Sequence, residues 1–156
     1  TFLVAFRSLP ETTAGLLFSA YFVVNGLAQP TTGWVSDRIG RDGAAAVTMA
    51  LGVVGYALLV AGPRIALLPA VVCVGAAMTW GAPLQSRFFD KFEADERGAA
   101  FGLVRTAYMV IGSTGSVVVG VLSDASGWAA AYGLLVGVTG VALVALLANR
   151  AFRLGL

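Results

Sequence analysis

Five apolar stretches leave this chain few folds to choose from. They cover residues 14–35, 44–61, 65–85, 98–122 and 128–148, each 18 to 25 residues long and separated by short polar islands. At about 1.5 Å of rise per residue, a helix crosses the roughly 30 Å hydrocarbon core of a bilayer with about 17–25 mostly apolar residues. Lipid offers no partner to backbone N–H and C=O groups, so a crossing segment must satisfy its own, and a helix does so within one segment. The alternating pattern of barrel strands is absent. The expected fold is therefore an all-α transmembrane helix bundle, one domain over residues 1–156, with five complete spans. Residues 1–6 read as the last turns of a sixth apolar helix, and the chain, which starts at Thr1, reads as a fragment.

Composition agrees. The chain is 58% hydrophobic and 12% charged with mean hydropathy +0.87, against about 45–50% and about 25% in soluble domains. Net charge is only +2, and no basic patch with interleaved aromatics appears, so a nucleic-acid partner is not expected. The single cysteine, Cys73, excludes an internal disulfide, and its position inside an apolar run reads as a small buried hydrophobe. With no histidine and one cysteine, neither a metal site nor a cofactor is expected.

Where the cations fall matters more than their sum. With the island at residues 33–43 on the cytoplasmic side, that side holds Arg38, Arg41, Arg87, Lys91, Arg97, Arg150 and Arg153, and the other holds Arg7 and Arg64. That distribution follows the positive-inside rule. Arg105 falls within a span and has two readings: a buried substrate ligand, or an interfacial anchor whose guanidinium snorkels to the cytoplasmic surface. The anchor is favoured because residues 106–122 are long enough to span alone.

The spans differ in polarity. The second and fifth carry few polar side chains and read as lipid-facing. The first carries Tyr21, Asn25 and Gln29 at i, i+4 and i+8, with Thr32 three further on, a polar stripe along one helical face. The third carries Thr79, Trp80 and Gln85, and the fourth Tyr108, Ser113, Thr114 and Ser116. Tyr21, Asn25, Gln29, Trp80 and Tyr108 are candidate cavity-lining, substrate-binding residues whose neutral hydrogen bonds and aromatic faces suit an uncharged or amphipathic solute. The competing reading of the stripe is hydrogen bonding between helices, at about 0.6 kcal/mol each. Catalytic residues are not expected: the Ser and Thr residues at 113–116 have no His or Lys beside them to activate a hydroxyl.

Small residues recur at helical spacing: Gly98 and Gly102, Gly133 and Gly137, and the ladder Gly112, Ser116, Gly120, all read as faces for close helix approach. Gly81-Ala82-Pro83 reads as a kink. Residues 33–40 and 120–127 both read G-x-x-S-D-x-x-G, closing the first and fourth spans on opposite sides of the expected membrane. Two three-helix units of inverted topology would show such a pair.

The island Gly33-Trp34-Val35-Ser36-Asp37-Arg38-Ile39-Gly40-Arg41 reads G-x-x-S-D-R-x-G-R and resembles the signature loop of the major facilitator superfamily of secondary transporters. Asp42 departs from the pattern, since the family more often has a basic residue there. Looser likenesses follow in order: Arg97-Gly98 with Gly102, the small-residue ladder, and Asp124, Gly127 and Trp128 as D-x-x-G-W. The resemblance implies one six-helix half of a twelve-helix transporter, lacking most of its first helix, with the first, third and fourth spans lining the cavity. The third span lacks the arginine common in amino-terminal halves, so the carboxy-terminal half is expected. It further implies a multi-pass protein of the plasma membrane that moves a small solute by alternating access. Coupling to protons is among the implied properties, with any membrane-embedded acid lying in the missing half. Gly33, Asp37, Arg38, Gly40 and Arg41 would form the cytoplasmic gate. A membrane sensor or assembly partner that reuses the fold without transporting is the alternative.

Overall fold

In a computed structural model the chain is described at residues 2–83 and 97–152, Arg97 by its backbone alone. Gln85, Arg87, Lys91 and Arg153, counted above, lie outside these residues. The helices are α1, Phe2–Ala5; α2, Glu11–Ile39; α3, Arg41–Ala61; α4, Leu67–Ala77; and α5, Arg97–Phe152. Short 3-10 turns at Arg64–Ala66 and Met78–Trp80 flank α4. No strand occurs among the described residues.

Arg41–Ala61, Arg64–Pro83 and Gly98–Phe152 are long and apolar enough to cross a membrane. Glu11–Ile39 is longer than the first two but less hydrophobic, because Tyr21, Asn25, Gln29 and Pro30 interrupt its apolar run. The last segment is too long for one crossing: 55 residues make about 80 Å of helix. A single non-helical residue, Gly127, divides α5 into arms 97–126 and 128–152.

Packing places α3 at the centre. It lies against α4 and α5, and α2 lies against α4 and, less extensively, α3. Gly43 approaches Arg150, Gly52 approaches both Thr139 and Ala77, and Gly55 approaches Val74, so α3 runs antiparallel to both α4 and arm 128–152. The second span, expected on the lipid side, is thus the hub. Its Gly43, Ala44, Ala45, Gly52 and Gly55 are buried, and this smooth face admits neighbours closely.

The interior is made of small residues and the outside of large apolar ones. Ala44, Ala45, Ala70 and Ala131 are 0% exposed, whereas Leu27, Leu103 and Val141 are about 70% exposed (68%, 74% and 71%). Water drives large apolar side chains inward, but in lipid that drive is missing and close backbone approach decides what is buried. Larger side chains gather at one end, where Phe2, Leu9, Leu59, Leu67, Val71 and Val74 cluster.

Candidate functional site

The polar island forms less of a loop than its composition suggested. Helix α2 continues through Asp37 and Arg38 to Ile39, and α3 begins at Arg41. The connection is Gly40 alone, at φ 83° and ψ 160°, a region essentially confined to glycine. Gly127 adopts φ 83° and ψ 165°, so the last residues of the two G-x-x-S-D-x-x-G stretches share one backbone conformation. They also lie at opposite ends of the bundle: Gly40 adjoins the Gly43–Arg150 contact, while Gly127 adjoins Trp128, whose ring lies 5.8 Å from that of Phe2.

Around Gly40, Arg38 folds back over the Trp34 ring one turn earlier, its guanidinium carbon 3.9 Å from the ring centre, a cation–π contact. Asp37 and Gly33 are exposed. A cavity of about 470 Å³ is lined by Ile39, Gly40, Arg41, Asp42, Gly43 and Arg150. Asp42 sits in the first turn of α3, where a carboxylate meets the positive end of the helix dipole. Arg150 arrives from the last helix, and a β-carbon on Gly43 would stand 3.1 Å from its Nη1. Sequence reasoning counted Arg150 only as a topology signal; the antiparallel register of α3 and arm 128–152 is what brings it here.

The α2 stripe divides between two environments. Asn25 donates from Nδ2 to the Gly75 carbonyl across 3.3 Å, and the Thr32 and Thr79 hydroxyls lie 2.6 Å apart, buried. These two bonds tie α2 to α4 and to the 3-10 turn that follows it, as the interhelical reading of the stripe has it. Gln29, by contrast, is exposed. Tyr21 is half-buried, its ring among those of Phe18 and Phe22.

Trp80 and Tyr108 are both 43% exposed, Trp80 closing the 3-10 turn that follows α4 and lies against α2, and Tyr108 on arm 97–126. That turn replaces the kink expected at residues 81–83. Pro83 has no N–H to offer the Thr79 carbonyl four residues earlier, and the helix tightens at Met78–Trp80 instead. Arg105 lies 5.7 Å from the ring centre of Phe101, one turn away on the same exposed arm.

At the far end of α3, Arg7 donates from Nη1 to Val60 O at 3.1 Å and from Nη2 to Gly62 O at 2.6 Å. These carbonyls belong to the end of α3, where intrahelical donors run out. The contact fastens the start of the chain to α3. It was not legible in the sequence, where Arg7 is one cation between two apolar runs. Among the described residues no group of His, Cys, Asp and Glu is placed to hold a metal ion.

This arrangement is a membrane helix bundle with a glycine hinge at each end and a polar seam inside. The chain matches the Major Facilitator Superfamily over residues 3–154. The chain belongs to that superfamily. It is thus a transporter, a multi-pass membrane protein acting on a small solute across a lipid bilayer. Comparison with curated proteins and with solved structures returned no match. The match spans nearly the whole chain.

Proposed function

We propose that this chain is the carboxy-terminal half of a secondary transporter of the plasma membrane, moving a small uncharged or amphipathic solute by alternating access. The observation that carries this reading is the division of α2: Asn25 bonds α4 and Thr32 the 3-10 turn that follows it, while Gln29 stays exposed on the same helix. A helix that both anchors a neighbour and presents an amide and a phenol suits one wall of a solute path, with Tyr21 and Gln29 as its polar faces, Asn25 as a residue that exchanges partners, and Trp80 and Tyr108 contributed from other elements. Polar groups within spans serve such paths.

The second half would pack on arm 97–126. Apolar side chains such as Leu103, Ile111 and Val117 are 74%, 70% and 65% exposed there, and among the described residues no atom beyond the helix's own adjoining backbone lies within 4 Å of a β-carbon built on Gly112 or Gly120. The signature residues Gly33, Asp37, Arg38, Gly40 and Arg41 then work as the cytoplasmic gate, Asp37 accepting hydrogen bonds from the opposing half. No Asp, Glu or His lies within the five spans as read from the sequence, so proton coupling assigns the relay to the second half.

Reconstitution into proteoliposomes tests the proposal. Solute accumulation driven by a pH gradient is expected to collapse with an uncoupler, and unchanged accumulation would exclude proton coupling. The double variant Asn25→Ala/Gln29→Ala is expected to raise KM, and wild-type transport in that variant would remove both residues from the path.

A further inference from the structure

Several hydroxyls on the long helices return to carbonyls of their own helix. Thr48, buried in α3, donates to the Ala44 and Ala45 carbonyls at 3.1 and 2.9 Å; Thr106, Ser113 and Thr114 on the exposed arm likewise bond three or four residues back. Thr32 departs from that pattern. Its hydroxyl oxygen lies 2.6 Å from that of Thr79, across the seam between α2 and the Met78–Trp80 turn. Thr79 is 1% exposed and Thr32 7%. The Thr79 hydroxyl donates to the Ala76 carbonyl at 2.7 Å; a hydroxyl has a single proton to give, so Thr32 is the donor to Thr79.

This relay runs from α2 through Thr79 to a carbonyl in the last turn of α4, where intrahelical donors run out. It fastens the turn to both helices at once. An apolar pair could not do so at this spacing. Carbon atoms meet at about 3.5–4.0 Å, so methyl groups in place of the two hydroxyls would hold α2 and the turn about 1 Å further apart. The residue after Thr79 is Trp80, whose indole is 43% exposed. One residue is anchored in the seam and its neighbour presents an aromatic face.

We infer that Thr32 and Thr79 are positioning residues for Trp80: their hydroxyl pair draws the turn onto α2 and so sets where the indole stands on the wall of the solute path. Both are buried and act through Trp80. The inference rests on the reading of Trp80 as part of that path, but the placement of the indole can be measured with no solute present.

Time-resolved anisotropy of the purified protein in lipid nanodiscs tests this. Trp34→Phe and Trp128→Phe leave Trp80 as the sole tryptophan of the 156 residues, with any tryptophan of the second half replaced likewise, and the decay reports the picosecond-to-nanosecond motion of its indole. Thr79→Val and the double variant Thr32→Val/Thr79→Val should add a fast component that the parent lacks and shift the emission maximum. Thr79→Ser, which keeps the hydroxyl, should match the parent, and so should Thr48→Val, which removes a buried hydroxyl bonded within α3. Exchanging both partners for apolar groups of the same shape is nearly neutral for stability, so the double variant should regain the parent's thermal midpoint while its decay stays altered. A parent-like decay in the double variant, or a fast component in Thr79→Ser or Thr48→Val as large as that in Thr79→Val, would overturn the assignment. Wild-type transport in Trp80→Phe would instead take the indole out of the path and leave these decays as they are, so the two readings fail separately.

Discussion

Arg7 and Gly40 are each matched to a backbone position that few other residues could serve. The Arg7 fork reaches two carbonyls at once, Val60 and Gly62. Hydrogen bonds from charged donors contribute about 1.5–3 kcal/mol each when well formed, less where water shares the site. Arg7→Ala should therefore cost about 2 kcal/mol, seen as a lower thermal midpoint in detergent. Arg7→Lys should recover part of that loss, since an ammonium group lacks the planar fork; equal stability of all three proteins would show the contact to be idle. For Gly40 the constraint is steric. At φ 83° and ψ 160° a side chain is strained by about 1–3 kcal/mol, although nothing lies within 4 Å of the added β-carbon. Gly40→Ala and Gly127→Ala should cost similar amounts because the two backbones agree so closely. A neutral Gly40→Ala would mean the turn can adopt another conformation.

Among the elements, α3 shows why helix identity was legible and helix neighbours were not. Five apolar runs announce helices because lipid permits little else. Which face of each packs depends on where backbones approach, and the small-residue spacing pointed elsewhere. Among the described residues, Gly98, Gly102, Gly133 and Gly137 have nothing beyond their own adjoining helix backbone within 4 Å of a built β-carbon, whereas Gly55 would bring one to 2.7 Å from Val74 Cγ2 and 2.9 Å from the Val74 nitrogen. Gly75 would bring one to 2.9 Å from the Tyr21 carbonyl oxygen. Spacing alone cannot separate these cases, since a GxxxG pair looks the same whether or not a neighbour is present. Hence Gly55→Val should destabilise by about 1–3 kcal/mol, as overpacking does. Gly133→Val, in open space, should stay within about 0.5 kcal/mol. Thermal unfolding of both variants in one detergent gives the comparison, and equal midpoints would remove α3 from the centre of the packing. The site was legible to the same degree. The Tyr21, Asn25, Gln29, Thr32 stripe was visible as a periodicity, but its division between α4 and open surface depends on where Gly75 and Thr79 fall across the interface.

For the whole molecule, Gly40 joins α2 to α3 and Gly127 joins the two arms of α5. Gly40 and the cavity at Arg150 lie at one end of α3 and the Arg7 clamp lies at the other, separated by 21 residues, or about 31 Å of helix. That length matches the hydrocarbon core, so α3 is long enough to place its two ends in opposite compartments. The proposed sidedness puts the Gly40 end in the cytoplasm, where Arg38, Arg41 and Arg150 gather. Single cysteines at Ile39 and Pro63, both exposed, in a Cys73→Ser background should therefore react differently with a membrane-impermeant maleimide. In intact cells, label should enter at position 63 and not at 39; in inside-out vesicles the preference should reverse. Equal labelling of both from outside would mean that α3 does not cross the bilayer. Labelling at 39 alone would invert the topology, and with it the assignment of Gly33, Asp37, Arg38, Gly40 and Arg41 to a cytoplasmic gate.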